Sequence, residues 1–380
     1  MIKKTVIAGL TAAALAPALA FAQAPSGKPA EKPSIPTLDQ VFEASGIAVE
    51  GYIDVGYTHL SGTGLFNGTV PVPNRVFDTE RNSFLLHQAA VQIAKQPKQG
   101  LGGLVNVTAG RDAQVIHAFT GPAGDTSLFD VTQAFAQYAT GPVTVIGGKY
   151  VTASGAEVIK STANSNYSRS ILFGYAIPFT HTGIRATFAL SDMFSLIAGL
   201  NNGWDNLKDT NTAKTTELGI SATPIKPLTI IAVGYLGNER VDGLTAVGAE
   251  GKRSLIDLVA TYTVTDKLSF TLNYDDASQE NTATGKAKWS GVAGYATYQF
   301  MDTLRLAVRG ENFDDKHGYR TGVVQKWKEA TITLAFLPEK NFELRGEVRK
   351  DSSNIASFMK PDGTASKDQT SFGLQALYKF

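Results

Sequence analysis

Two short stretches concentrate ionisable side chains in a chain of 380 residues. LRLAVRGE (304–311) sets Arg305, Arg309 and Glu311 on one parity, against Leu304, Leu306 and Val308. FELRGEVR (342–349) sets Glu343, Arg345, Glu347 and Arg349 against Phe342, Leu344 and Val348. Successive strand side chains point to opposite faces, so each stretch has a charged face and a greasy face. Charges gathered this way can do two kinds of work. They satisfy one another as internal ion pairs, or they line water and sort the ions that pass. The same inward parity adds Glu50, Asp54, Arg185, Glu217 and Asp257. Both signs are present, so the pattern selects neither anions nor cations.

Covalent chemistry has less to recommend it. His59 and Ser61 lie two apart in YTHLSGTGLFNG (57–68), on the parity of Val55 and Tyr57. This spacing resembles the base and nucleophile of outer-membrane lipid hydrolases, with Asn67 as an orienting group. Such a pair needs hydrogen-bond reach and a third residue to hold the base. A histidine and a serine opening a polar loop need no chemistry at all. The other histidines (87, 117, 181, 317) show no metal-ligand spacing. There is no cysteine, which removes disulfides, thiolate metal sites and thiol nucleophiles. GAEGKR (248–253) lacks the spacing of a phosphate loop. Acidic NYDDASQEN (273–281) and NFDDK (312–316) read as hydrated turns, or as Ca²⁺ or lipopolysaccharide contacts. The sequence requires no cofactor. A formal charge of +1 with no basic run excludes nucleic acid as the main partner.

The elements that position these residues are period-2 runs. The chain opens with MIKKTVIAGLTAAALAPALAFAQA: two lysines, a short apolar core and Ala20-Phe21-Ala22. That is a secretory signal peptide over 1–22. Residues 23–45 read as a flexible leader with one helical turn at 37–43. From 46 to 380 sixteen alternating runs follow, the first at 47–58 and the last at 370–380. Those at 129–140, 142–152, 228–236 and 287–300 leave their facing open. Short connections (96–100, 140–142, 190–193, 223–227, 265–267, 301–303, 337–341) alternate with long ones. The long ones are 59–82, 112–128, 153–177, 203–214, 237–252, 276–286, 314–327 and 351–369. A sandwich would not keep the two sets in step. The expectation is an all-β transmembrane antiparallel up-and-down barrel of sixteen strands, with short periplasmic turns and long extracellular loops. Its greasy faces meet lipid and its charged faces line the lumen. The last strand, FGLQALYKF, closes the barrel and puts Tyr378 and Phe380 in the periplasmic aromatic girdle.

YAIPFTHTGIRATF (175–188), NNGWDN (201–206) and RNSFLLHQAAVQIAKQP (81–97) are similar to the OmpL-like family of outer-membrane β-barrel porins. The resemblance implies a bacterial outer-membrane porin, a passive diffusion channel for small polar or charged solutes and not an enzyme. It implies lipid and lipopolysaccharide around the barrel, and a trimer. Porin loops placed like 153–177 fold inward, which would bring Glu157, Lys160 and Arg169 to a constriction. A terminal aromatic strand resembles the signal read by the barrel assembly machinery, so Tyr378 and Phe380 carry that expectation too. The alternatives are the His59/Ser61 hydrolase and a closed barrel whose outer loops serve adhesion or a receptor.

Overall fold

Ile332, Leu334 and Phe336 are each about half exposed, while Thr331, Thr333 and Ala335 between them are buried. The chain is built inside out in this way along its whole β-region. Val308, Leu344, Val348, Phe372 and Leu374 stand exposed beside buried Arg309, Arg345, Arg349, Ser371 and Gln375. Charges inside and hydrocarbon outside is the pattern of a barrel whose outer wall meets lipid.

The computed structural model describes residues 37–66, 70–72, 75–117, 127–241 and 249–380. The expected signal peptide, most of the leader and Asn67 lie outside these. Thr37 caps a helix α1 (Leu38–Ser45), its hydroxyl accepting from the Gln40 amide while the Gln40 side chain accepts from the Thr37 amide.

Sixteen antiparallel strands form one closed barrel. They are β1 (Ala48–Leu60), β2 (Ser83–Lys95), β3 (Gly100–Ala109), β4 (Phe129–Thr140), β5 (Val143–Val151), β6 (Thr180–Ala189), β7 (Phe194–Asn201) and β8 (Thr215–Ile225). The second half comprises β9 (Leu228–Arg240), β10 (Glu250–Thr265), β11 (Leu268–Thr282), β12 (Gly285–Met301), β13 (Leu304–Asp315), β14 (Gln325–Glu339), β15 (Phe342–Ser353) and β16 (Asp368–Lys379). Each pairs with its sequence neighbours, and β1 pairs with β16 from Tyr52↔Lys379 to Leu60↔Ser371. No edge is left unpaired, as a strand in hydrocarbon requires. Beyond Lys379 the backbone of Phe380 still bonds Gly51 in both directions, at 2.9 and 3.0 Å.

One connection departs from expectation. Residues 276–286 are not a long loop: β11 and β12 continue into them and turn across two residues, with Asn281 at φ 60° and Gly285 at φ 88°. The segment is polar on both faces, so it carries no alternation, yet Asp276↔Ser290 and Ser278↔Lys288 remain in register. These strands run on past the greasy band. The first and last long loops also interlock, through a small sheet ordered Ala365–Ser366, Phe358–Met359, Thr63–Phe66, Val70–Val72.

The lumen is not polar throughout. Trp289, Phe313, Leu172 and Ala293 are fully buried inside it, with Phe77, Phe173, Phe179, Trp204 and Trp327 in the same cluster. The segment 152–179 and Phe77 bring these apolar groups into the barrel, and the inward aromatics of β12, β13 and β14 meet them. Toward the short turns the inward residues are Thr187, Ser221, Thr261, Ser269, Thr271 and Thr297, all partly open. A hydroxyl-lined vestibule thus leads to a packed level.

Candidate functional site: a loop clamped inside the barrel

The loop 152–179 contains one short 3₁₀ turn, Ser161–Ala163, and one π turn, Leu172–Ala176. Most of its backbone groups lack partners within the loop. A buried amide or carbonyl without a partner is costly. The barrel wall supplies the partners, from the two stretches rich in charge.

Arginines take the loop carbonyls. Arg309 donates to Ser168 O at 2.7 Å, and Arg345 to Asn164 O and Asn166 O at 2.7 and 3.1 Å. Arg349 donates to Arg169 O at 2.6 Å. Glutamates take the amides. Glu347 accepts from Tyr167 and Ser168 at 2.7 and 3.1 Å, and Glu311 from Ile171 and Leu172 at 2.7 and 3.0 Å. Asp257 accepts from Gly155 at 3.1 Å. Strands β13 and β15 thus form a two-sign rail that matches the donor and acceptor order of the loop. Bonds of this charged type contribute about 1.5–3 kcal/mol each.

The charges also neutralise one another. Arg309 meets Glu329 at 2.9 Å and Glu157 at 2.7 Å, with no solvent exposure of its own. Glu343 is shared by Arg305 and Arg345, and Asp351 by Arg349 and Arg75. Arg309, Glu311, Arg345, Glu347 and Arg349 therefore touch the loop and not an open water column. That differs from the lumen-lining role expected of them, because the loop occupies the space they face. Asp54 is buried too, accepting from Gln375 at 2.8 Å. Glu217 binds Arg185, whose guanidinium lies 4.3 Å over the Tyr150 ring. The expected charges that keep open surface are Glu50 and Lys160, paired at 54% and 41% exposure, and Arg305 at 18%. Of the loop trio, Glu157 and Arg169 are buried and Lys160 is not.

Several site residues carry no signature in the charge pattern. Strand β2 bulges opposite Asp54 and Val55, turning both His87 and Gln88 inward. His87 bonds Asp112 at 3.1 Å and the Tyr167 hydroxyl at 2.8 Å, and Tyr167 also meets Thr58 at 2.7 Å. Arg75 and Asp78 pair inside the lumen, from the segment after β1. Outside the membrane-spanning strands, Asp205 accepts from the amides of Phe179 and Thr180 at 2.7 and 2.9 Å. Its burial pushes the carboxyl up to about 6.

His59 and Ser61 do not meet. The His59 ring bonds Asn82, and the Ser61 hydroxyl accepts from the Thr370 amide at 2.8 Å. Among the described residues no group of three acidic or histidine side chains could hold a metal. At the barrel ends the greasy face finishes in exposed Phe300, Phe336, Tyr378 and Phe380.

This architecture has solved relatives. The outer membrane channel DcaP of Acinetobacter baumannii matches with TM-score 0.62 at 12% identity, over 88% of this chain and 97% of that one. The anion-selective porin of Comamonas acidovorans gives 0.59 at 12% identity, over 88% and 99%. A trimer form of OmpT, an outer membrane protein of Vibrio cholerae, gives 0.59 at 14%, also over 88% and 99%. No curated protein matches the chain. The family described as "Putative beta-barrel porin-2, OmpL-like" matches residues 46–380. The chain belongs to that family: it is a β-barrel porin of the bacterial outer membrane, a diffusion channel.

Proposed function

We propose that the loop 152–179 sets the narrowest level of this channel, and that small polar solutes pass between it and the segment 75–78. The observation that carries the reading is the rail of β13 and β15, which fixes the loop to the wall, while segment 75–78 lies against the loop through Phe77 and is held to β15 by the Arg75–Asp351 pair. Two cavities of about 10 Å³ each lie between loop and segment, and share Phe77, Asp78 and Arg169. Each has room for about one water. One is bordered by Arg75, Arg169 and Arg349, the other by Asp54, Asp78 and Asp112. On this reading water and small ions follow that line, and wider solutes need segment 75–78 to swing off Arg169. The periplasmic mouth, with Glu50, Lys160 and Arg305, biases which ions enter. The mechanism is partition and diffusion, with no covalent step and no cofactor.

The accompanying assignments are part of the same reading. Residues 1–22 serve as an export signal and 23–45 as a periplasmic leader. Tyr378 and Phe380 serve recognition by the barrel assembly machinery. The barrel sits among lipid and lipopolysaccharide as a homotrimer.

Single-channel recording in a planar bilayer tests it. Discrete conductance steps are expected, with a reversal potential under a salt gradient that moves when Lys160 is changed to Glu. Absence of any conductance sinks the channel path and favours a filled barrel with adhesive loops.

A further inference from the structure

Asp257 of β10 and Asp275 of β11 are direct register partners. Both side chains turn into the lumen and have no solvent exposure. As direct cross-strand partners on one face, their carboxyl groups lie side by side. Asp257 Oδ2 is occupied, accepting from the Gly155 amide at 3.1 Å and Asn273 Nδ2 at 2.8 Å. The other three oxygens, Asp257 Oδ1 and both of Asp275, have no donor. Among the described residues no lysine or arginine pairs with either aspartate. A further carboxylate, Glu311, and not a cation, acts on Asp275.

Two adjacent buried carboxylates cannot stand bare, because desolvation and mutual repulsion both oppose it. A shared proton supplies one O–H. It would bridge one oxygen of each residue, leave the second Asp275 oxygen without a partner, and leave a net negative charge beside Glu311. A divalent cation cancels the pair's charge and engages all three free oxygens. Hard cations prefer such oxygen ligands and fill remaining positions with water.

We propose that Asp257 and Asp275 hold a single hard divalent cation of the calcium type inside the barrel. One ligand, Asp275, lies in the acidic stretch 273–281 that the sequence offers for Ca²⁺, and the other, Asp257, lies outside it. It ties β10 and β11 together beneath the Gly155 end of the clamped loop. With only two carboxylates the affinity belongs to the weak extracellular range, on the order of 10⁻⁴–10⁻³ M.

The test uses the full chain refolded in detergent without lipopolysaccharide and stripped with EDTA. Terbium is the luminescent probe. Trp289 is its sensitiser, since its register partner Ala277 lies two residues from Asp275. We expect terbium luminescence that Ca²⁺ displaces, and a saturable rise in melting temperature of several degrees with Ca²⁺. Asp257→Asn or Asp275→Asn should abolish both, whereas Trp289→Phe should lose the luminescence and keep the Ca²⁺ shift. A wild-type chain insensitive to Ca²⁺ and terbium overturns the proposal, whether or not the variants fold. So does an Asp275→Asn protein that melts higher at every Ca²⁺ concentration, the signature of a shared proton. Responses that survive both Asn variants place the cation elsewhere and overturn it as well.

Discussion

The ring of Tyr167 fills the place where a side chain on Gly373 would stand: a Cβ there would come within 2.4 Å of its Cδ1. A Cβ on Gly56 would meet the same tyrosine's hydroxyl at 2.7 Å. These glycines sit on β1 and β16, the two strands that close the barrel, and the slot between them seats the loop tip. Gly373→Val should push the ring out, at a cost of about 1–3 kcal/mol for overpacking. Tyr167→Ala should vacate the slot without that strain. Both variants are expected to raise single-channel conductance. Unchanged conductance in both would separate the loop tip from the constriction.

Arg309 bears more of the clamp than any other residue, bonding Glu157, Glu329 and the Ser168 carbonyl. Arg309→Leu strands buried carboxylates and should cost about 3–5 kcal/mol. Urea unfolding of the folded barrel measures it. Arg305→Gln should cost much less in the same assay, since Arg305 is partly hydrated.

Ion preference should depend on the hydrated charges. Neutralising Arg305 is expected to move the reversal potential toward cations. Neutralising Arg309, Arg345 and Arg349 should instead change conductance and its noise, because those three hold loop carbonyls. A pure selectivity shift from the buried three, with normal conductance, contradicts the clamp.

Asp205 predicts a pH dependence. Its folded carboxyl titrates at about 6, above the 3.8 of a free aspartate. The folded state therefore binds the proton more tightly, and stability falls as pH rises from about 4 through 6. Asp205→Asn keeps an oxygen for the Phe179 and Thr180 amides and removes the titration. Above pH 7 it should be more stable than the wild type by about 1–3 kcal/mol; below pH 4 the two should converge. Parallel unfolding curves at pH 4 and pH 8 check the sign.

At the other end of the barrel, a Cβ on Gly51 would stand 2.2 Å from the Phe380 ring. Gly51→Val should displace that ring while leaving strand pairing intact. Assembly yield in cells is expected to fall, with the refolded protein near wild-type stability. Normal yield would remove the ring from the assembly argument.

Much of this was legible in the alternation itself. All sixteen strands, their facing at the charged stretches and the closing role of the last residues follow from parity and turn spacing. Glu329 was equally readable, on the inward parity of a strand whose Ile332, Leu334 and Phe336 face out. So was the β2 bulge: the outward set runs Phe84 and Leu86, then Ala89, Val91 and Ile93, a change of parity that marks an extra residue. The extension of β11 and β12 was hidden, because past the bilayer both faces are polar and no pattern survives. The partners of the charges were hidden for another reason. Parity shows which way Glu347 points, but not that a loop backbone from residue 167 comes to meet it. The Tyr167 slot depends on two glycines from opposite ends of the chain, which only closure brings side by side.

That closure has a cost in time. The amide and carbonyl of Phe380 complete the ladder with Gly51, near the start of the first strand. The ring cannot close until the sixteenth strand is available to the first, so every hairpin between them waits on that pairing.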